Sequence, residues 1–537
     1  MEQLNLAIHP VDLVIIIAYL VGIVALGCWA GLRRRNITGG KGYFLADKAL
    51  TWPIIGLALF STNISTIHLV SLAQEGYVNG LAYGNFEWMA AFTLIALALF
   101  FAPFYIRSNV ATLPDFLEKR YSRASRDWLA IISIISAVFI HIGFSLYTGA
   151  VVLRGLFDIN IMVSIIGIAI LTGLYTIIGG LLAVVLTESI QTIVLIIGAV
   201  CITFIAYTKL GGWSELAANV DPVKLTVLRS ADDPSGLPWY SVFLGYPVIG
   251  LWYWCADQTI VQRVLGAKDE NHARVGPLFA GFIKILPVFI FVLPGLLCLG
   301  LINKGTLPAE LTDSADTYAF MISHLLPIGL KGIVAAALLA ALMSTVSGAL
   351  NSIATLFSYD IYRRWRPETS ERKLVVIGRI VTFVAMIAAI VWSPFVSHFQ
   401  SIFQGITAII CYIAPPITVV FVCGVFWRQA SSMGSIITLL SGSAMGFVVF
   451  LLDWFKEHTG WNIPPMMATF YLFVICLIIM VFVSLLRPHR HTEESEKLVW
   501  KNPLESFYGE AWSGIGNFKL LSALLFVTMV VLYVVFG

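Results

Sequence analysis

Trp252-Tyr253-Trp254-Cys255-Ala256-Asp257-Gln258-Thr259-Ile260-Val261-Gln262-Arg263 closes a very apolar helix, yet it carries three large aromatics, a carboxylate and two amides. A polar group left unpaired in hydrocarbon costs several kcal/mol, so lipid-facing helices have no use for this mixture. The stretch therefore faces protein or a water-filled cavity. A membrane helix that hides polar groups in this way marks the chain as a polytopic membrane protein with an internal site.

Composition agrees. Of 537 residues, 59% are hydrophobic and 12% charged, against roughly 25% charged in soluble domains. Mean hydropathy is +0.88. All seven cysteines (Cys28, Cys201, Cys255, Cys298, Cys411, Cys423, Cys476) fall in apolar segments without a CxxC pair, so they read as small buried hydrophobes. Met1 to His9 lacks a basic n-region, and the first apolar run ends at Arg33-Arg34-Arg35. That run reads as a retained helix.

Apolar runs long enough to cross about 30 Å of hydrocarbon lie near 12–31, 52–74, 80–106, 127–151, 160–178, 183–208, 240–258, 276–300, 330–355, 374–392, 399–426, 433–452, 465–485 and 519–536. The expected fold class is all-α and polytopic, with about fourteen transmembrane helices. Basic residues cluster in Arg33–Lys48, Arg107–Arg126, Arg263–Arg274, Arg363–Lys373 and Arg487–Lys501, all after odd-numbered spans. By the positive-inside rule these loops are cytoplasmic and both termini lie outside. The expected location is a plasma (inner) membrane. The outer loops near 209–239 and 301–329 read as partly ordered caps, and 486–518 as an interfacial tether to the final helix.

Polar groups interrupt several spans. Ser61-Thr62-Asn63-Ile64-Ser65-Thr66 and then His68 stand in the second. Such a run makes sense where a helix breaks and frees carbonyls to coordinate an ion, as at the midplane of many secondary transporters. The plainer reading, hydroxyls bonding back to their own helix, suits Ser65 alone better than the whole run. In the ninth span Ser344-Thr345 and Ser347 interrupt an Ala/Leu stretch, and Asn351-Ser352 follow. Two hydroxyls opposite freed carbonyls offer a hard cation several neutral oxygens without a buried charge. Glu87 and Lys284 each sit within a span, and either charge alone costs at least about 2.5–3.5 kcal/mol there. A mutual pair or a shared polar ligand lowers that cost. Glu188, near the start of a span, is placed to reach the inner interface, and His141 reads as a satisfied core histidine.

These positions resemble, in order and spacing, the sodium/glucose cotransporter branch of the sodium:solute symporter family. The matching stretches are Asn63-Ile64 through His68, Phe86-Glu87-Trp88, Leu174 to Leu181, Trp252 to Arg263, Ala341-Leu342-Met343-Ser344-Thr345, Asp360-Ile361-Tyr362, and Ala414-Pro415-Pro416 through Phe426-Trp427. The resemblance runs from about 12 to 480. It implies a LeuT-like core of two inverted five-helix repeats. The chain then divides into a first flank (1–51), a first repeat (52–208), an outer loop (209–239), a second repeat (240–428) and C-terminal flanking helices (429–537). It implies a main sodium site from carbonyls of Ser61, Ile64 and Ala341 with the hydroxyls of Ser344 and Thr345. It implies a solute pocket of Asn63, His68, Glu87, Trp254 and Lys284 above Tyr253 as inner gate. A second sodium position would draw on Glu188 and Ser347, leaving one or two Na⁺ per cycle open.

Three departures from the branch stand out. Thr407 occupies the position of a solute-binding glutamine, with Gln404 nearly one turn away; Glu188 stands where aspartate is usual; and Gly250 and Ala90 replace polar pocket positions. The implied function is Na⁺-coupled import of a monosaccharide such as glucose or galactose, by alternating access. The alternatives are the same fold carrying inositol, another polyol or another small solute, and a sugar-gated sensor or channel. No nucleophile–base pair, metal cluster or phosphate loop points to a membrane-embedded enzyme.

Overall fold

The computed structural model describes residues 9–33, 40–233, 237–309, 311, 313–398, 402–488 and 492–537. Arg34 and Arg35 lie outside the described residues, as does the side chain of Gln404. Among the described residues no β-strand forms; the elements are helices. In chain order the main ones are α1 (Pro10–Arg33), α2 (Trp52–Asn63), α3 (Thr66–Asn79), α4 (Asn85–Ala96), α5 (Arg123–Ser136), α6 (Gly143–Phe157), α7 (Ile161–Leu210), α8 (Trp239–Leu251) and α9 (Gln258–Leu265). They continue as α10 (Glu270–Ile283), α11 (Leu293–Asn303), α12 (Leu330–Leu356), α13 (Glu371–Trp392), α14 (Ile402–Phe426), α15 (Ser432–Trp454), α16 (Pro465–Leu486) and α17 (Phe518–Phe536).

Eleven helical stretches among the described residues are long and apolar enough to cross a membrane. The expected fourteen differ from them at three places. Thr66–Arg107 joins the end of one expected span to the next, and Ile161–Leu210 joins two more. The seventh expected span, α8 with the turn that follows it, is not among the eleven, because its tryptophans, tyrosines and Pro247 make it less apolar than the others. Within α7 the two expected spans meet at Gly180, whose φ of +60° turns the chain in a way that favours glycine. A side chain there would also strike Tyr43.

Helix α12 sits at the centre. Of its apolar window 94% is buried, against 17% for α1. Its small residues explain why: a Cβ on Gly198 of α7 would lie 2.6 Å from that of Ala337, so the two helices pack backbone to backbone. Helix α1 lies against α7 and α12. Asp12 Oδ1 accepts the N–H groups of Gly329 (2.8 Å) and Gly332 (2.7 Å), satisfying donors at the start of α12. Helix α2 packs on α10, α3 on α11, and α14 and α15 on α16.

At the end of the bundle that carries the basic loops, Arg126 reaches Asp360 (2.7 Å), Asp115 (3.2 Å) and Glu118 (2.5 Å). The segment before α17 lies across the same end. Trp500 Nε1 donates to the Phe100 carbonyl (3.1 Å), and Arg274 Nη1 to that of Ser506 (3.0 Å).

Candidate solute and cation site

Helix α2 runs to Asn63 and α3 begins at Thr66, so the break is confined to Ile64 (φ −79°, ψ 105°) and Ser65 (φ −98°, ψ 173°). It is shorter than the expected six-residue interruption. Thr62 Oγ1 lies 2.8 Å from the Ala58 carbonyl, the back-bonding that lets a hydroxyl residue stay helical. Past the break, the Ser65 backbone N–H donates to His68 Nδ1 (3.2 Å). A nitrogen that accepts is unprotonated, so the neutral ring carries its proton on Nε2.

Helix α12 faces this break. Ser344 Oγ lies 2.8 Å from the Ser61 carbonyl and 3.0 Å from that of Ala341. Thr345 Oγ1 lies 3.3 Å from the Thr62 carbonyl and 3.2 Å from that of Ala341. Four of the five expected sodium ligands are thus joined by hydrogen bonds, and Ile64 stands in the break itself. The Ser61 hydroxyl is buried without a partner. A hydroxyl proton rotates freely, so Ser344 and Thr345 can turn lone pairs toward a cation shared with the carbonyls. All these oxygens are neutral, which suits a monovalent hard cation.

Glu188 does not reach the surface of the bundle. It is fully buried and paired with Arg263, through Nε at 3.2 Å and a shorter Nη2 contact. Thr62 Oγ1 lies 3.0 Å from its Oε1, the alternative to the Ala58 carbonyl for the one hydroxyl proton. Gly348 permits this, since a Cβ there would lie 3.0 Å from Glu188 Oε1 and inside the guanidinium's space. Ser347 Oγ donates to the Ser344 carbonyl (3.0 Å), so the structure ties it to Ser344. Further along the same helix, the side chains of Asn351 and Ser352 are buried without partners.

The seventh expected span also breaks. A π-helical turn over Trp252–Ala256 ends at Asp257 (φ −86°, ψ 120°), whose carboxylate caps α9 by accepting the Thr259 N–H (2.7 Å). An aspartate directly before a new helical run is an N-cap signal. The seventh span ends within two residues of its expected limit at 258; the short capped helix that follows is what the sequence reading lacks.

Between the two breaks lies a cavity of about 140 Å³. All seven expected solute residues line it: Asn63, His68, Glu87, Tyr253, Trp254, Lys284 and Thr407. Thr62 and Thr345 line it too, so the cavity adjoins the cation oxygens. Lys284 pairs with Glu87, lies 2.6 Å from Asn63 Oδ1, and stands 5.6 Å from the Trp254 ring centroid. Its place at the end of α10 has a local cause: Pro287 has no N–H for the carbonyl of Ile283, and the helix is interrupted there. Trp88 Nε1 donates to the Ile285 carbonyl nearby (3.2 Å). Gly250 is on the wall, whereas Ala90 lies in the buried core. Around Thr407 the wall is apolar, with Ile406 and Ile410.

Sequence reasoning passed over His141. It lines the cavity, 8% exposed, and its Nε2 lies 3.1 Å from Asp257 Oδ2. Only the distant partner gives it away, and nothing local in the sequence signals the pair.

A mostly apolar cavity with a few convergent polar side chains, between two broken helices and adjoining a cluster of neutral oxygens, can hold a small neutral polar solute next to a cation. Among known proteins, the Sodium:solute symporter family matches residues 43–442. The chain is 34% identical over 476 residues to sodium/glucose cotransporter 4 of Danio rerio, covering 83% of this chain and 72% of that one. It is 34% identical to the sodium/mannose cotransporter of Bos taurus, covering 91% and 89%, and to sodium/myo-inositol cotransporter 2 of Sus scrofa, covering 83% and 70%. A Na⁺-coupled sialic acid symporter in a substrate-bound outward-open state matches with a TM-score of 0.79 at 21% identity, covering 90% of this chain and 100% of that one. This last likeness establishes the LeuT-like fold. The relatives are cotransporters, and this chain is a multi-pass membrane transporter, not an enzyme. A match across residues 43–442, with relatives at this identity covered over most of their length, means that the chain belongs to the sodium:solute symporter family.

Proposed function

We propose that the chain is a sodium-coupled symporter that imports a monosaccharide or polyol by alternating access. The reading rests above all on one observation: the cavity lined by Asn63, His68, Glu87, Trp254 and Lys284 shares Thr62 and Thr345 with the oxygen cluster at the α2–α3 break. Hydroxyl groups both donate and accept, so a carboxylate, an ammonium, an amide and an imidazole can satisfy them, while aromatic faces contact the C–H side of a ring. Relatives named for glucose, mannose and myo-inositol support a polyhydroxy solute.

Sodium enters at Ser61, Ile64, Ala341, Ser344 and Thr345. It holds α2–α3 against α12 and completes the solute cavity; Tyr253 closes the inner side. Glu188 already has Arg263 as its cation, and Ser347 is engaged with Ser344. The Arg263 partner of Glu188 favours one Na⁺ per cycle over two. The two repeats span 52–208 and 240–428, with flanks at 1–51 and 429–537 and an outer loop at 209–239. Both termini face outward from a plasma membrane.

The test is uptake of radiolabelled glucose, galactose, mannose and myo-inositol into proteoliposomes, with an inward Na⁺ gradient and a K⁺ control. Sodium-dependent uptake of at least one, with a Hill coefficient for sodium near 1, is expected. No sodium-dependent uptake of any would refute the function, and a coefficient near 2 would refute the single-ion reading.

A further inference from the structure

We propose that His141 is a specificity-determining residue that bonds one hydroxyl of the transported solute, with Asp257 as the residue that positions it. The inference rests on the reading of the cavity as a polyhydroxy-solute site. His141 stands in a π-helical turn, Ala137–Ile142, between α5 and α6. Ser145, four residues on, lines the cavity with it and shares its helix face.

The orientation of the ring follows from its partner. Asp257 Oδ1 accepts the Thr259 N–H at the start of α9, where a carboxylate is favoured by the helix dipole, and Oδ2 faces His141 Nε2 at 3.1 Å. A carboxylate can only accept, so Nε2 carries a proton. Among the described residues nothing bonds Nδ1. In the neutral ring Nδ1 is therefore an acceptor, in a tautomer the Asp257 carboxylate fixes, on a side chain that lines the solute cavity.

The rest of the cavity's chemistry makes this acceptor count. Lys284 is engaged with Glu87 and Asn63, and Thr345 with backbone carbonyls. His68 presents Nε2–H, a donor. The two histidines thus offer complementary groups, a donor from α3 and an acceptor from the α5–α6 span. Each can take one solute hydroxyl. A site built to bond a hydroxyl rejects an analogue lacking it, because its own buried group is then left unpaired.

The experiment measures sodium-driven uptake of the best solute of the wild-type protein and of each of its monodeoxy analogues in proteoliposomes. Wild type is expected to discriminate on the order of tenfold against the analogue lacking the hydroxyl that faces His141. In His141→Ala that discrimination falls to within about twofold, while the penalties at other positions persist. Because His141→Ala leaves the Asp257 carboxylate unpaired and can cost the fold, His141→Leu/Asp257→Asn carries the same test with the ring and the carboxylate charge removed together. Penalties unchanged at every position in either variant, with all solutes weakened alike, would overturn the inference and leave the proposed function standing. No sodium-dependent uptake of any polyhydroxy solute by wild type would overturn both.

Discussion

Ser344→Ala combined with Thr345→Ala uncouples solute uptake from sodium. The two hydroxyls are half of the hydrogen-bonded oxygen cluster at the α2–α3 break, and alanine offers a cation nothing in their place. If each ligand is worth roughly a factor of ten, or 1.4 kcal/mol, the double variant weakens apparent sodium affinity on the order of a hundredfold. The fold tolerates the change, since each lost hydroxyl removes a neutral hydrogen bond worth about 1 kcal/mol. A sodium titration of initial uptake rates reads the effect. Coupling fails because an ion that binds both conformations equally shifts neither. A variant with wild-type sodium affinity would show that the cation binds elsewhere.

Lys284→Met has a different signature, because it breaks a charge pair. Lys284 and Glu87 are both buried, and removing one partner of such a pair destabilises by about 3–5 kcal/mol. The single variant is expected to unfold at markedly lower temperature in detergent and to lose solute uptake. Glu87→Gln/Lys284→Met leaves no charge uncompensated, so most of the thermal stability returns. Uptake does not, because the charged donor and acceptor on the cavity wall are gone. Equal melting temperatures for the single and double variants would mean that the pair does not carry the electrostatic compensation assigned to it.

Local signals in the sequence pointed to most of the site, and what they missed depends on distance. The oxygen cluster was legible because hydroxyls and small polar residues are costly in mid-membrane, and the run 61–66 and Ser344-Thr345 stand out against their surroundings. The extent of the break was not, since Thr62 satisfies its own hydroxyl and α2 continues to Asn63. The stop at Asp257 falls at the expected end of the seventh span, but the restart as α9 does not show in length or hydropathy, because eight residues are too short to register as a span. Sequence alone points Glu188 toward the interface because Arg263, its partner, lies 75 residues on. His141 looks like an ordinary core histidine for the same reason, its partner being 116 residues away. Helices join such pairs by tertiary packing, which no periodicity records.

The central claim is that energy from sodium entering at the α2–α3 break drives a polyhydroxy solute uphill. One charge crossing 100 mV supplies about 2.3 kcal/mol, and a tenfold sodium gradient about 1.4 kcal/mol more. Proteoliposomes loaded with potassium and held inside-negative with a potassium ionophore, then given external sodium and labelled solute, provide the direct measurement. The expected result is accumulation well above the equilibrium level, up to a ceiling of several hundredfold for one ion, and collapse of the gradient when sodium is equalised and the potential removed. Solute that equilibrates across the membrane and never accumulates, with sodium and voltage both applied, would contradict the account and identify a passive carrier or channel.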